Sequence, residues 1–291
     1  MEPGQTRSTW PAIAAVNLAA VLFGAVALFG RLDLDPVWIV AARAGFAAVG
    51  LLALCLIGRR PVRQPWIRLR WMLATGALLA LHWVMFFASV RMAGVAVGVL
   101  TVSSFPLFTI ALQAARNKQL PSVAHLAAGL TIILAVAIVA GPGRPETPGA
   151  LAGAFIGLGS AALFAVFTLA SQRLMVATAP VSLAFWQNLA AALVLAPFLP
   201  FLPGPTTGTD WLALAALGIF GTVLAHQLFL FALTRLPAAA CGAFVSMEPV
   251  YAILLAALLF SEPVGPGVAA GAGLIVAASF LLLKPARPSP D

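Results

Sequence analysis

The sequence predicts an all-α integral membrane protein of ten transmembrane helices, arranged as two inverted five-helix repeats. Three observations lead there. Of 291 residues, 62% are hydrophobic and only 8% charged, with a mean hydropathy of +1.06. A soluble domain carries about 25% charged residues to cover its surface, and this chain cannot cover one. Apolar runs of roughly 20 residues, the length that crosses a bilayer, follow one another with short breaks. Lastly, two distant stretches match. "HWVMFFASVRM" (82–92) aligns with "HQLFLFALTRL" (226–236), pairing His82 with His226, Phe87 with Phe231, Ala88 with Ala232 and Arg91 with Arg235 at one constant offset. After a one-residue slip, "SSFP" (103–106) meets "SMEP" (246–249).

Taken in order, the expected spans are 10–30, 36–57, 71–91, 94–116, 122–140, 149–171, 180–201, 211–234, 238–260 and 265–284. The first follows Arg7 and ends in "LFGRLDLD" without a small-x-small cleavage site, so it reads as a retained helix and not a cleaved signal. It carries Asn17 near its middle. The second carries Arg43, about two turns in from its outer end. The third carries His82 and its neighbour Trp83, and closes at Arg91. In the fourth, Thr101, Ser103 and Ser104 precede Pro106. The fifth is almost wholly apolar. The sixth opens on Gly149-xxx-Gly153-xxx-Gly157, a small-residue contact stripe, and holds Ser160 at its centre. The seventh carries Trp186, Gln187 and Asn188, and the eighth His226 and Gln227. The ninth, "FVSMEPVYAILLAALLFSEP" (244–263), sets Glu248 and Pro249 mid-membrane with Phe244 and Tyr251 a turn either side. The tenth begins after Glu262 and contains Gly267-xxx-Gly271. The longest polar connection, "GRRPVRQPWIRLR" (58–70), leaves no room for a soluble domain.

The halves are therefore 10–140 and 149–284. Five spans per half turn the second half upside down relative to the first. That plan recurs in secondary transporters, whose substrate site lies at the midplane between the repeats. With the N-terminus inside, most of the 16 basic residues collect on the cytoplasmic side: Arg7, the cluster from Arg59 to Arg70, Arg116, Lys118, Arg173, Arg235, Lys284 and Arg287. This bias predicts that both termini are cytoplasmic. It also accounts for the net charge of +8 without any nucleic-acid partner. Cys55 and Cys241 both lie in apolar spans, so no disulfide framework is indicated.

The polar residues of the spans share a depth, which predicts a solvated central cavity. Its candidate lining is Asn17, His82, Trp83, Thr101, Ser103, Ser104, Ser160, Trp186, Gln187, Asn188, His226, Gln227, Phe244, Glu248 and Tyr251. Glu248 is the costliest, since a central acidic residue costs about 2.5–3.5 kcal/mol on insertion scales. Two roles suit it: binding a substrate ammonium or a proton, or bracing the bundle at the kink. Its repeat counterpart is Phe105, so the carboxylate exists on one side only. Pro106 and Pro249 each remove a backbone hydrogen bond, freeing the carbonyls of Val102 and Val245 and supplying a hinge in equivalent helices. Arg43 either snorkels to the outer interface or turns inward to hold a carboxylate. His82 and His226 read as a proton relay or as neutral, hydrogen-bonded core histidines. No ligand pattern for a metal or other cofactor is present.

The run "MEPVYAILLAALLFSEPVGPGVAAGAGLIVAAS" (247–279) and the two inverted halves closely resemble the drug/metabolite transporter superfamily, within it the EamA-type exporters, and most nearly the YddG-type amino-acid exporters. The resemblance covers nearly the whole chain. It implies that Glu248 and Pro249 form the motif of the ninth helix and that Glu262 is the acidic residue before the tenth. At the matching loop of the first half, where the family commonly carries an acid, this chain has Gln119. Glu262 is accordingly expected to cap the tenth helix. Multidrug relatives exchange protons at a glutamate in their first helix. Asn17 and Ser160 occupy the corresponding spans here, so that coupling is not carried over.

The expectation is an exporter of amino acids or similar small metabolites, in a bacterial inner membrane, acting as a monomer by alternating access, with a proton as candidate coupling ion and no cofactor. The alternatives are a multidrug exporter of cationic or aromatic compounds and a sugar-phosphate or nucleotide-sugar transporter. An intramembrane hydrolase pairing Ser160 or Ser103 with His82 or His226 is more remote, because Gly-x-Ser-Gly, HExxH and paired-aspartate patterns are missing. The protein is not expected to be an enzyme.

Overall fold

The computed structural model describes residues 10–118, 123–140, 149–233, 235–236, 244–245 and 247–282. Its helices are α1 (Trp10–Val26), α2 (Pro36–Ile57), α3 (Trp66–Val102), α4 (Phe105–Asn117), α5 (Val123–Ala140), α6 (Ala150–Met175), α7 (Pro180–Leu195), α8 (Gly208–Gly218), α9 (Ala225–Leu233), α10 (Glu248–Phe260) and α11 (Pro266–Leu282). A tight 3₁₀ turn follows α1 (Ala27–Arg31) and another follows α7 (Ala196–Phe201); a π-helical segment (Ile219–Leu224) joins α8 to α9. Among the described residues there is no strand, and six helical stretches are at once long and apolar enough to cross a bilayer: Trp10–Arg31, Pro36–Ile57, Trp66–Val102, Ala150–Met175, Pro180–Phe201 and Gly208–Phe229. The span expected over 238–260 has most of its first half outside the described residues.

Local chemistry sets the helix ends. Asp35 accepts a hydrogen bond from the Val37 amide at 2.8 Å, and Pro36, which has no amide hydrogen to satisfy, opens α2. Thr207 and Asp210 form a reciprocal capping box at the start of α8. Left-handed residues stop α4 at Lys118 (φ 53°) and α10 at Ser261 (φ 54°). Pro106 and Pro249 each stand second in a new helix. Chain breaks precede them, so both prolines restart a helix where an in-helix kink was expected.

α3 is the spine. Most of its length is buried, and it packs chiefly on α6 and α7. Gly94 (φ 85°, ψ 166°) interrupts it, so that Val95–Val102 is a separate short helix entered at a sharp bend. The small-residue stripe of α6 serves packing as expected: a Cβ at Gly153 would meet that of Ala93 at 2.6 Å, and one at Gly157 would meet the Ser89 hydroxyl at 2.8 Å. Such close approach is how helices associate in lipid, where hydrophobic burial offers no drive.

A Gly157→Val substitution should therefore force α3 and α6 apart and lower the thermal midpoint of the detergent-solubilised protein, at a cost of about 1–3 kcal/mol. Gly208→Ala, at a site with open space around the added carbon, should leave the midpoint unchanged in the same scan.

Candidate functional site

The site is built around a buried cation. Arg43 on α2 is 3% exposed, so the snorkelling conformation is not adopted. Its side chain turns into the bundle because partners are supplied there. Nε donates to Thr222 Oγ1 at 2.8 Å, and the guanidinium lies 3.9 Å from the centroid of the Trp83 ring. Cation–π contact of this kind is worth about 2 kcal/mol once water is excluded. Nη1 is buried with no hydrogen-bond partner among the described residues.

Thr222 reaches Arg43 because of the π-helical segment. Widening the turn over Ile219–Leu224 shifts the register of α8 against α9, a distortion often found at functional sites. Gly218, immediately before it, lets α8 approach α2: a Cβ there would lie 2.8 Å from the Arg43 carbonyl oxygen. The Thr222 carbonyl accepts a bond from His226 Nδ1 at 2.9 Å, and the imidazole meets the Phe23 ring edge-on at 5.4 Å. One threonine thus holds Arg43 through its hydroxyl and His226 through its carbonyl.

Glu248 is the first residue of α10, where the positive end of the helix favours a carboxylate. Among the described residues no hydrogen bond or ion pair reaches that carboxylate. Its electrostatic partner is Arg43, which also acts on His82 and His226. Side chains from α2, α3, α9 and α10 therefore share one field, with Arg43 on one half of the chain and Glu248 on the other. Tyr251, a turn on from Glu248, directs its hydroxyl at Asn17 Oδ1 across 3.4 Å, while Asn17 Nδ2 donates to the Ile13 carbonyl at 2.9 Å.

His82 belongs to a second group. Nδ1 donates to the Ser160 carbonyl at 3.0 Å and lies 2.8 Å from its hydroxyl, which donates to the His82 carbonyl at 2.8 Å. The ring stacks on Phe164 at 4.6 Å, and Phe164 in turn meets Phe105 edge-on at 5.0 Å and Phe167 face-on at 5.8 Å. Phe105, the counterpart of Glu248, thus stands in an aromatic wall.

Other candidates lie apart. Trp186 Nε1 donates to the Val62 carbonyl at 2.9 Å, which places it against the basic 58–65 connection. Gln187 bonds Thr75 and Ser171 at 3.0 and 2.9 Å, and Asn188 Nδ2 returns to the Ala184 carbonyl. Thr101, Ser103 and Ser104 donate to backbone carbonyls of their own helix. Phe244 packs near Val16 and Ala232, and Gln227 is half-buried beside His226. Thr222, Phe164 and Phe167 escaped the sequence reading. The one available signal was Thr222 standing four residues before His226, on one helix face.

Two stretches of the chain, residues 10–141 and 151–284, match the model of the EamA-like transporter family. The chain belongs to that family. Its six helices of spanning length among the described residues fit a multi-pass membrane protein of that family. It is 32% identical over 133 residues to the threonine/homoserine exporter RhtA of Escherichia coli (strain K12), 45% of this chain and 44% of the relative. It is 27% identical over 136 residues to the uncharacterized transporter YetK of Bacillus subtilis (strain 168), 45% and 41% of the two chains. The matches span less than half the length of these curated relatives. A solved crystal structure shares the fold over 96% of both chains, with a TM-score of 0.64 at 21% identity.

Within this EamA-like chain the Arg43–Thr222 bond is the most exposed to test. Thr222→Val should leave Nε without an acceptor and cost about 1–3 kcal/mol, seen as a lower unfolding midpoint in detergent. Thr222→Ser, which keeps the hydroxyl, should restore most of the loss.

Proposed function

We propose that the protein exports amino acids or similarly small zwitterionic metabolites across a bacterial inner membrane, by alternating access between two inverted halves, 10–140 and 149–284. The two stretches matched by the family model support the division. In this reading α3 supplies one span up to Gly94 and, beyond it, the first part of the next, which α4 completes; α8, the π segment and α9 make one; α10 belongs to the span expected over 238–260; ten spans result. The positive-inside bias favours cytoplasmic termini. One chain contains both halves, so a monomer suffices.

The observation that carries the substrate class is the buried Nη1 of Arg43, without a partner among the described residues, with the Glu248 carboxyl supplied from the other half of the chain. In this reading a zwitterion bridges them. Its carboxylate takes the unpartnered Nη1 of Arg43, where a charge-assisted hydrogen bond satisfies a buried donor. Its ammonium would face Glu248, and the aromatic group around His82 (Phe105, Phe164 and Phe167) offers candidate contacts for its side chain. Binding energy then bridges the halves, which is what couples occupancy to their relative motion. The relative RhtA, a threonine/homoserine exporter, agrees with this chemistry. A phosphorylated substrate would call for more than one buried cation. A cationic drug would use Glu248 and the aromatics and leave Arg43 without a role. The Ser160–His82 pair is bound back to back in the α3–α6 contact, with Ser160 fully buried, which suits a brace better than a nucleophile.

Uptake of a radiolabelled amino-acid panel into proteoliposomes, with and without an imposed pH gradient, tests the reading. Saturable flux of the unchanged compound is expected. Arg43→Gln and Glu248→Gln should each lower it roughly 10- to 100-fold, the scale of one charged hydrogen bond at about 1.5–3 kcal/mol. Gradient dependence would make the proton the coupling ion. Flux that survives both substitutions, or no amino-acid flux at all, would sink the zwitterion site.

A further inference from the structure

Glu262 was expected to cap the helix that follows it, and it does not. The left-handed Ser261 turns the chain at the end of α10, and the Glu262 side chain crosses to the other half of the protein. There Oε1 accepts a hydrogen bond from the Val95 amide at 3.0 Å. Val95 opens the short helix Val95–Val102, whose first amides have no partner within the helix and carry its positive end. Gly94 makes room for the contact. Its φ of 85° suits glycine, and any Cβ there would lie 2.6 Å from Oε1. The second carboxylate oxygen, Oε2, is buried without a partner among the described residues. A permanent cap would be expected to satisfy both oxygens; a contact made and broken in turn need not.

The surroundings are a seam between the halves. Ala93, Ala96 and Leu100 of α3 pack with Ile253 of α10 and Val268 of α11. At the same end, Arg31 stands over the Phe260 ring at 5.9 Å, a second contact across the halves. Arg91, close by, is tied within its own half, to Asp33 at 3.6 Å and to the Leu34 carbonyl at 2.9 Å. The helix that Glu262 caps is the one leading to Ser103, Ser104 and Pro106. A charge on α10's C-terminal turn therefore holds the segment that would have to move if this end opened.

We infer that Glu262, seated on the Gly94–Val95 bend, is the latch that keeps the outer end of the transporter closed, and that it acts as a positioning residue for alternating access without touching substrate. The inference rests on the proposed two-half transport cycle. The sequence position matching Glu262 in the first half is Gln119, which lies outside the described residues and carries no charge.

The test uses no substrate, so it can fail independently of the amino-acid assignment. In a Cys55→Ser, Cys241→Ser background, a single reporter cysteine at Ser103 is alkylated by a membrane-impermeant maleimide added to one face of sealed vesicles. Glu262→Gln, which keeps a neutral acceptor, should raise labelling from the outer face about threefold, and Glu262→Ala about tenfold, as charged and then any hydrogen bonding is lost. Gly94→Ala should raise it as well, by displacing the carboxylate from the other side. Combining Gly94→Ala with Glu262→Ala should add nothing further, because both break one contact. A rise from the inner face in the Glu262 variants would keep the latch and overturn the proposed orientation. Unchanged labelling from both faces, or full additivity of the Gly94 and Glu262 effects, would overturn the latch.

Discussion

A guanidinium placed at mid-span in a membrane protein must find partners inside the bundle or leave for the interface, and Arg43 stays. Much of the architecture around it follows from that. Thr222 must present a hydroxyl at 2.8 Å, which the π-helical register of Ile219–Leu224 achieves. Gly218 must be small so that α8 can reach the backbone of α2. Trp83 must offer its face from α3. Even so, one nitrogen has no partner among the described residues. In a medium where a buried donor without a partner costs about 1–3 kcal/mol, that is a standing demand for an anionic or carbonyl acceptor. Through Thr222 the same anchor also reaches His226, whose Nδ1 donates to the Thr222 carbonyl.

The second constraint is that helices in lipid must break without wasting backbone hydrogen bonds. The chain breaks at Gly94, at Ser103–Ser104 and before Glu248, and each break is provided for locally. Ser103 and Ser104 return their hydroxyls to Val99 and Thr101 carbonyls. Pro106 and Pro249 sit where no amide is required. At Gly94 the compensation comes from a distance, through Glu262. Irregular backbone at depth is tolerated where protein groups satisfy it, and these breaks let short helix ends, with their partial charges, face the interior.

Fold class and family were legible because both depend on patterns the chain carries linearly: apolar runs of spanning length, basic residues in loops, and the 247–279 motif. Position along each apolar run was legible too, and it singled out Glu248 and His82 as candidates. Direction was not. In lipid the outward face of a helix is as apolar as its packed face, so a span's pattern does not say which way Arg43 points. Its distance from the interface permitted snorkelling, and only the non-local Thr222 and Trp83 decide against it. Trp186, Gln187 and Asn188 are sequence neighbours, but each step turns the helix by about 100° and sends them to different partners. The π segment is a shift in hydrogen-bond register that no residue type marks. Glu262 misled for a related reason: sequence proximity favoured α11, whereas the left-handed Ser261 aims the carboxylate at Val95.

What distinguishes the halves is charge more than fold. Glu248 answers to Phe105, and Glu262 to Gln119, so both acids lie in the second half while Arg43 lies in the first. Two perfectly equivalent halves would make the inward- and outward-facing states mirror images of equal energy. Unequal groups at matched positions remove that degeneracy, and a difference of about 1.4 kcal/mol already tilts a two-state equilibrium tenfold. A charged hydrogen bond against a neutral one is of that order. In the proposed two-half cycle, a bias of the resting state and the placing of Arg43 and Glu248 for a zwitterion to bridge would then have one origin: acids present at matched positions of the second half only.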